Sequence, residues 1–322
     1  MGERFAAPGQ GAHEMTVRIG LSMALFPFSS PRAMWRWVEV CEDSRVDSIW
    51  QNDRLVSAEP FMEPLTALAA LAGGTARLKF GMNVLVLPTR DPLVVAKQCA
   101  TIDFISGGRF LPAFGVGADA APEWQATGRD GSHRGARSDE ALSIIARLWA
   151  GEAVTHHGAH YRYTEARIAP LPVQRQLPMW IGGSSPAAIR RTARLGTGWL
   201  GGNQTPGQVA PVVAAIRAAA VEAGRTIDDD HYGAGFAFRF GSMDDAPAQR
   251  AAAAITRRPG GGDPRDYLAV GDEQDILDRV RAFRAAGVSK FVLRPLGDGD
   301  DDIVDQTRRL IETVIPVAHA LD

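Results

Sequence analysis

The chain has 322 residues, 45% of them hydrophobic, with 34 glycines and 20 prolines scattered as punctuation and not gathered in blocks. That is enough apolar material for one or two domains with a large core. Its 35 Lys and Arg against 37 Asp and Glu leave a net charge of −2, so no bulk electrostatic pull toward nucleic acid or an anionic membrane is expected.

Residues 1–15 offer neither the apolar centre of a secretion signal nor a helical period. They read as a disordered leader, with Met15 an alternative start, ahead of a single domain over 16–322. No run approaches the roughly 18 apolar residues that a membrane span needs. Cys41 and Cys99 lie in apolar helical patterns far from a CxxC spacing, which predicts reduced core thiols in a cytoplasmic setting, with no disulfide and no zinc site.

Strand and helix patterns then alternate. Strand one is expected at 17–25, followed by a helix opening at Ser30-Pro31 with Met34, Trp35, Val38 and Cys41 on one face, and strand two at 47–52. A helix at 60–72, strand three at 78–87, a helix opening at Asp91-Pro92 with Val95, Cys99 and Ile102 in register, and strand four at 109–116 follow. A helix at 138–149 leads into an irregular segment, 151–176, read as an insertion holding a short hairpin. Strand five at 179–182, a helix at 186–195, strand six at 198–201, a helix at 208–223 and strand seven at 233–240 continue the pattern. The polar segment 244–272 reads as a second insertion, a mobile lid or disordered loop at the barrel mouth, before a helix at 273–286, strand eight at 290–294 and a last helix at 303–320. Eight such units predict an α/β fold, a (β/α)8 TIM barrel with insertions after the fourth helix and after the seventh strand. Counting alone leaves an open doubly wound sheet as the alternative.

In a barrel the chemistry sits where strands end, which selects Asn52, Asp53 and Arg54; Asn83; Gly115, Gly117 and Asp119; Gly182 to Ser185; Gly201 to Gln204; and Arg294. The most telling stretch is Trp180-Ile181-Gly182-Gly183-Ser184-Ser185-Pro186. Ser185 is a natural N-cap and Pro186 a natural first helical residue. The unpaired N–H groups of that helix start, next to two residues without side chains, suit an anion such as a phosphate. Gly115-Val116-Gly117 lacks the third glycine of a dinucleotide fingerprint. His156, His157 and His160 fall in the irregular segment without a carboxylate-rich partner run, and read as hairpin histidines, not metal ligands. No Gly-x-Ser-x-Gly elbow points to a hydrolase.

Five segments in order, Leu85-Val86-Leu87-Pro88-Thr89-Arg90-Asp91-Pro92, Ser106-Gly107-Gly108-Arg109 with Gly115-Val116-Gly117, Arg134-Gly135-Ala136-Arg137, Trp180-Ile181-Gly182-Gly183 and Gly198-Trp199, resemble the bacterial luciferase-like monooxygenase family. The resemblance implies a TIM barrel that binds either the deazaflavin coenzyme F420 or FMN, the latter supplied reduced by a separate reductase. Asp53 after strand two, Pro88 to Pro92 and Arg134 to Glu140 are similar to the F420 branch. By the same resemblance, Asn83 and Val84 form a bulge with a non-prolyl cis peptide that backs the middle ring. Gly182, Gly183 and Ser184 hold the cofactor phosphate, Gly117 belongs to the glycine-rich wall of that site, and Asp53 and Arg54 line the face open to substrate. Sugar-phosphate dehydrogenases of the family carry a histidine and a loop-four glutamate where Arg54 and Ala120 stand here, so their acid and base pair is read as absent. The expected function is hydride transfer between F420 and a small organic substrate. The alternatives are an FMN-dependent two-component monooxygenase and, further off, a non-catalytic flavin-binding barrel or a hydrolase. A homodimer formed through helices near strands two and three is also implied.

Overall fold

A computed structural model describes residues 16–25, 28–258 and 261–321; the leader expected at 1–15 lies outside them. The elements run β1 (Arg18–Ser22), α1 (Pro31–Glu42), β2 (Ser48–Gln51), α2 (Pro64–Gly74), β3 (Lys79–Met82), β4 (Leu85–Val86), α3 (Pro92–Ser106), β5 (Phe110–Leu111), β6 (Ala113–Gly115), α4 (Pro122–Thr127) and α5 (Arg134–Trp149). They continue with β7 (Val154–His157), β8 (Arg162–Ala166), β9 (Trp180–Gly182), α6 (Pro186–Leu195), β10 (Gly198–Leu200), α7 (Pro206–Glu222), β11 (Tyr232–Ala234), β12 (Ala237–Phe240) and α8 (Ala246–Thr256). The last are α9 (Pro264–Tyr267), β13 (Leu268–Gly271), α10 (Glu273–Ala285), β14 (Lys290–Pro295), α11 (Asp300–Arg309) and α12 (Ile315–Ala318). Each serine- or aspartate-proline start caps as its chemistry dictates: the side chain of Ser30 accepts from Ala33 N, Asp91 from Leu93 N and Val94 N, and Ser185 from Ala188 N.

Parallel pairing runs β6, β9, β10, β11, β14, β1, β2, β3. The ring closes because strands three and four are each broken in two: β3 pairs with β5, and the next piece, β4, pairs with β6. The eight-unit barrel expected from the sequence is therefore present, with strand three interrupted at Asn83-Val84 instead of running unbroken to residue 87. On β14, Phe291 and Leu293 join the main core beneath the helices, whereas Val292 packs inward with Trp50, Ala113, Trp180 and Leu200. Side chains alternate along a strand, so Lys290, Val292 and Arg294 share the inner face. The rings of Trp50 and Trp180, 6.3 Å apart, plug the barrel's waist.

Segment 151–176 contains the expected hairpin, β7 antiparallel to β8. Segment 244–272 is not a loop: α8, α9 and β13 occupy it, and β13 extends the sheet beside β12. Its alanines gave no strong polar or apolar period, yet Ala251 and Ile255 of α8 pack on Ala237, Leu268 and Leu296 where strands seven and eight end. Helix α4 was not anticipated, and α5 begins at Arg134, four positions before the expected residue 138. Among the described residues no helix is long and apolar enough to cross a membrane.

Candidate functional site at the barrel mouth

The centre of the mouth is the break in strand three. Asn83 N donates to Gln51 O at 2.8 Å, and the Asn83–Val84 peptide is cis, as the resemblance implied. The chain then turns the Val84 side chain toward strands four and five. A Cβ added to Gly115 would stand 2.5 Å from Val84 Cγ2, and one on Gly182 would stand 3.0 Å from Val84 Cγ1. Both glycines therefore make room for Val84. For Gly182 this corrects the expected role: its side-chain space is filled by Val84 and is not an open approach for phosphate.

Asp53, expected on the substrate face, is 8% exposed and fully engaged. Its carboxylate accepts from Val86 N at 2.8 Å and from Arg90 Nη1 and Nη2 at 2.6 and 3.0 Å, and Arg90 also reaches Glu63 at 3.1 Å. Burial would lower the Arg90 pKa, but the hydrogen bonds and charges of Asp53 and Glu63 raise it above its ordinary value. Asp53 thus fastens β4 directly after the bulge and acts through position.

Arg54 leaves the strand end half exposed, with Nη1 3.9 Å from Oε1 of Glu123 on α4. The Glu123 side chain is only 4% exposed, and neither of its oxygens has a hydrogen-bond partner among the described residues. A carboxylate does therefore stand beside the end of strand two, supplied by Glu123 and not by position 120, which corrects the reading that the loop after strand four lacks an acid. Counting along the loop missed it because Pro122 starts a helical turn that swings Glu123 back over the site. The same turn explains Gly117 (φ 76°): a Cβ there would meet Trp124 and Val86 at 2.9 Å, so this glycine seats Trp124 and is not open to a cofactor. Trp124 is held in turn by Nε1 donating to Ala118 O at 2.8 Å.

The expected phosphate site lies at the end of strand five and the start of α6. Gly183 is exposed at φ 103°, its carbonyl accepts from Trp199 Nε1 at 2.8 Å, and Ser184 Oγ donates to Gln204 Oε1 at 2.9 Å. The N–H groups of Gly183, Ser184 and Ser185 donate to no described residue, and they stand at the positive end of α6. In the hairpin segment, His156 Nε2 contacts Glu140 Oε1 at 2.8 Å, and the backbone N of His160 and of Tyr161 donate to the same carboxylate. On the inner face of β14, the backbone N of Arg294 donates to Phe236 O at 3.0 Å, while its guanidinium has no hydrogen bond or ion pair among the described residues. Burial draws its pKa down to about 10, and the like charge of Arg258 pushes the same way.

Known proteins share the family and the fold. The luciferase-like monooxygenase family matches residues 5–260. An uncharacterised Mycobacterium tuberculosis protein is 35% identical over 176 residues, covering 54% of this chain and 60% of its own. The F420-dependent glucose-6-phosphate dehydrogenase of Microbacterium testaceum is 32% identical over 205 residues, covering 59% of each. The chain thus spans about 60% of the length of the curated relatives it matches. Among solved structures, the F420-dependent tetrahydromethanopterin reductase of Methanopyrus kandleri superposes with a TM-score of 0.77 at 21% identity, over 94% of this chain and 99% of that one. The oxygenating component of 3,6-diketocamphane monooxygenase from Pseudomonas putida, in complex with FMN, gives 0.77 at 17%, over 94% and 98%. With the family's model matched over residues 5–260, the chain belongs to the luciferase-like monooxygenase family.

Proposed function

We propose that the protein is an oxidoreductase that transfers hydride between the deazaflavin F420 and a small organic substrate. One observation carries this reading: the bulge and the cradle are contiguous. Val84 packs on Gly182, and the next residue, Gly183, opens the row of free N–H groups. A flat ring seated on Asn83-Val84 with a phosphate at Gly183 to Ser185 fits that layout. The names of the sequence relatives favour the deazaflavin, and the FMN-bound neighbour supports the second reading, a monooxygenase fed by a separate reductase. The cofactor, when bound, supplies the hydride chemistry. The chain's residues do the rest: the Asp53–Arg90 pair holds the bulge, Trp50 and Trp180 fill the waist beneath it, Arg54 orients substrate, and Glu123, beside Arg54 and without a hydrogen bond among the described residues, offers a carboxylate for proton transfer.

Fluorescence titration with each cofactor tests this. Binding of F420 at least about tenfold tighter than FMN, a gap of ~1.4 kcal/mol, is the expected result; the reverse order moves the protein to the monooxygenase reading, and binding of neither removes both. The reading extends to a homodimer, supported by Val94, Phe104 and Ile105 lying exposed on α3. Light scattering at twice the mass of one chain is expected, and a monomer contradicts it.

A further inference from the structure

Among the described residues, no acidic side chain pairs with the Arg294 guanidinium. By strand alternation Arg294 shares the inner face with Val292; its backbone N donates to Phe236 O, but its guanidinium has no hydrogen-bond or ion-pair partner among the described residues, and the charge felt there, that of Arg258, has the same sign. Leaving a guanidinium poorly hydrated and unpaired costs free energy that protein interiors normally recover through a carboxylate. The apolar side chains Ala251 and Ile255 seat α8, which leads to Arg258, on Ala237, Leu268 and Leu296. The sector matters as well. The ring platform and the phosphate cradle use strands three to six, and the cofactor phosphate has its own cradle at Gly183. Arg294 belongs to the strand ends that those features do not use, those of strands seven, eight, one and two, where the buried Oδ1 of Asn52 also lacks a hydrogen-bond partner among the described residues.

We infer that Arg294, assisted by Arg258, is the anchor for an anionic group on the substrate, a carboxylate or a phosphate monoester. The planar guanidinium takes either group through two parallel hydrogen bonds, and the second arginine adds charge without constraining orientation. This inference rests on the proposed function for calling the ligand a substrate, though the anchor itself is a property of the barrel with or without cofactor.

Calorimetric titration with benzoate, phenyl phosphate and neutral benzamide tests it, on protein with and without bound F420. The unmodified protein should bind at least one of the two anions about tenfold or more tightly than benzamide, and which anion wins separates the carboxylate from the phosphate. Arg294→Met should weaken that anion about tenfold or more, Arg294→Lys less, and Arg258→Ala about threefold, with benzamide and F420 affinities unchanged. Gly183→Asp should leave the anion's affinity intact, which separates the anchor from the cradle. Equal binding of anion and benzamide, no anion binding, or an Arg294→Met protein that binds anion as before would each overturn the anchor. If F420 fails to bind while the Arg294-dependent anion binding persists, the cofactor reading falls and the anchor stands.

Discussion

Lys290 and Arg294 occupy the same inner face of β14, four residues and about 13 Å apart by strand rise, and the protein treats them differently. At the barrel floor, Lys290 is buried against Asp47, which it meets in an ion pair, and lies over the Trp50 ring. Burial lowers the Lys290 pKa, while the charges of Lys290 and Lys79 hold Asp47 below its ordinary value in spite of burial. At the mouth, Arg294 has no such partner among the described residues, and Glu123, 3.9 Å from Arg54, has no hydrogen bond to either oxygen. A charge that serves the fold is matched within the chain; a charge left unmatched at the mouth is matched by what binds there.

The contrast breaks most visibly at the floor. Asp47→Asn should cost about 3–5 kcal/mol in denaturant unfolding because it strands a buried ammonium, and adding Lys290→Met should restore much of that. Arg294→Met, by the same measurement, should be neutral or stabilising, and a loss as large as that of Asp47→Asn would erase the distinction. Glu123→Gln should lower kcat by about a hundredfold on any substrate turned over, with F420 affinity unchanged and unfolding free energy no lower. Unaltered kcat would return Glu123 to a merely structural place. Gly115→Ala should cost about 1–3 kcal/mol and loosen cofactor binding by pressing on Val84, where Gly73→Ala, with nothing near its Cβ, should not.

Much of this was legible in the sequence because the signals are local. The strand-helix alternation and the Ser-Pro and Asp-Pro caps each act within a few residues, and so does the cradle, which needs only Gly183, Ser184 and the Ser185 cap. What was not legible depends on distant partners. Asp53 looked like a substrate-facing acid until Arg90, 37 positions away, was seen to claim it. Gly182 looked open until Val84 was found in its space, and Glu123 was hidden by a six-residue helix whose only local mark is Pro122.

The floor pair also gives stability a pH dependence. Asp47 has its folded pKa lowered from an unfolded value of about 3.9, so its contribution is present above that value and is lost as pH falls through the folded one. Lys290 also has a lowered folded pKa, so stability again rises with pH, but in the alkaline window below about 10.4. Unfolding free energies of the native protein and Asp47→Asn should therefore converge below pH 4; parallel curves would contradict the floor pair.

The most direct measurement is F420 titration of Gly183→Asp beside the unmodified protein. A carboxylate at φ 103° among the free N–H groups should weaken binding about a hundredfold or more, with unfolding changed far less. Equal affinity for the two proteins would mean that the cofactor phosphate lies elsewhere, and the contiguous platform and cradle would no longer support the hydride-transfer reading.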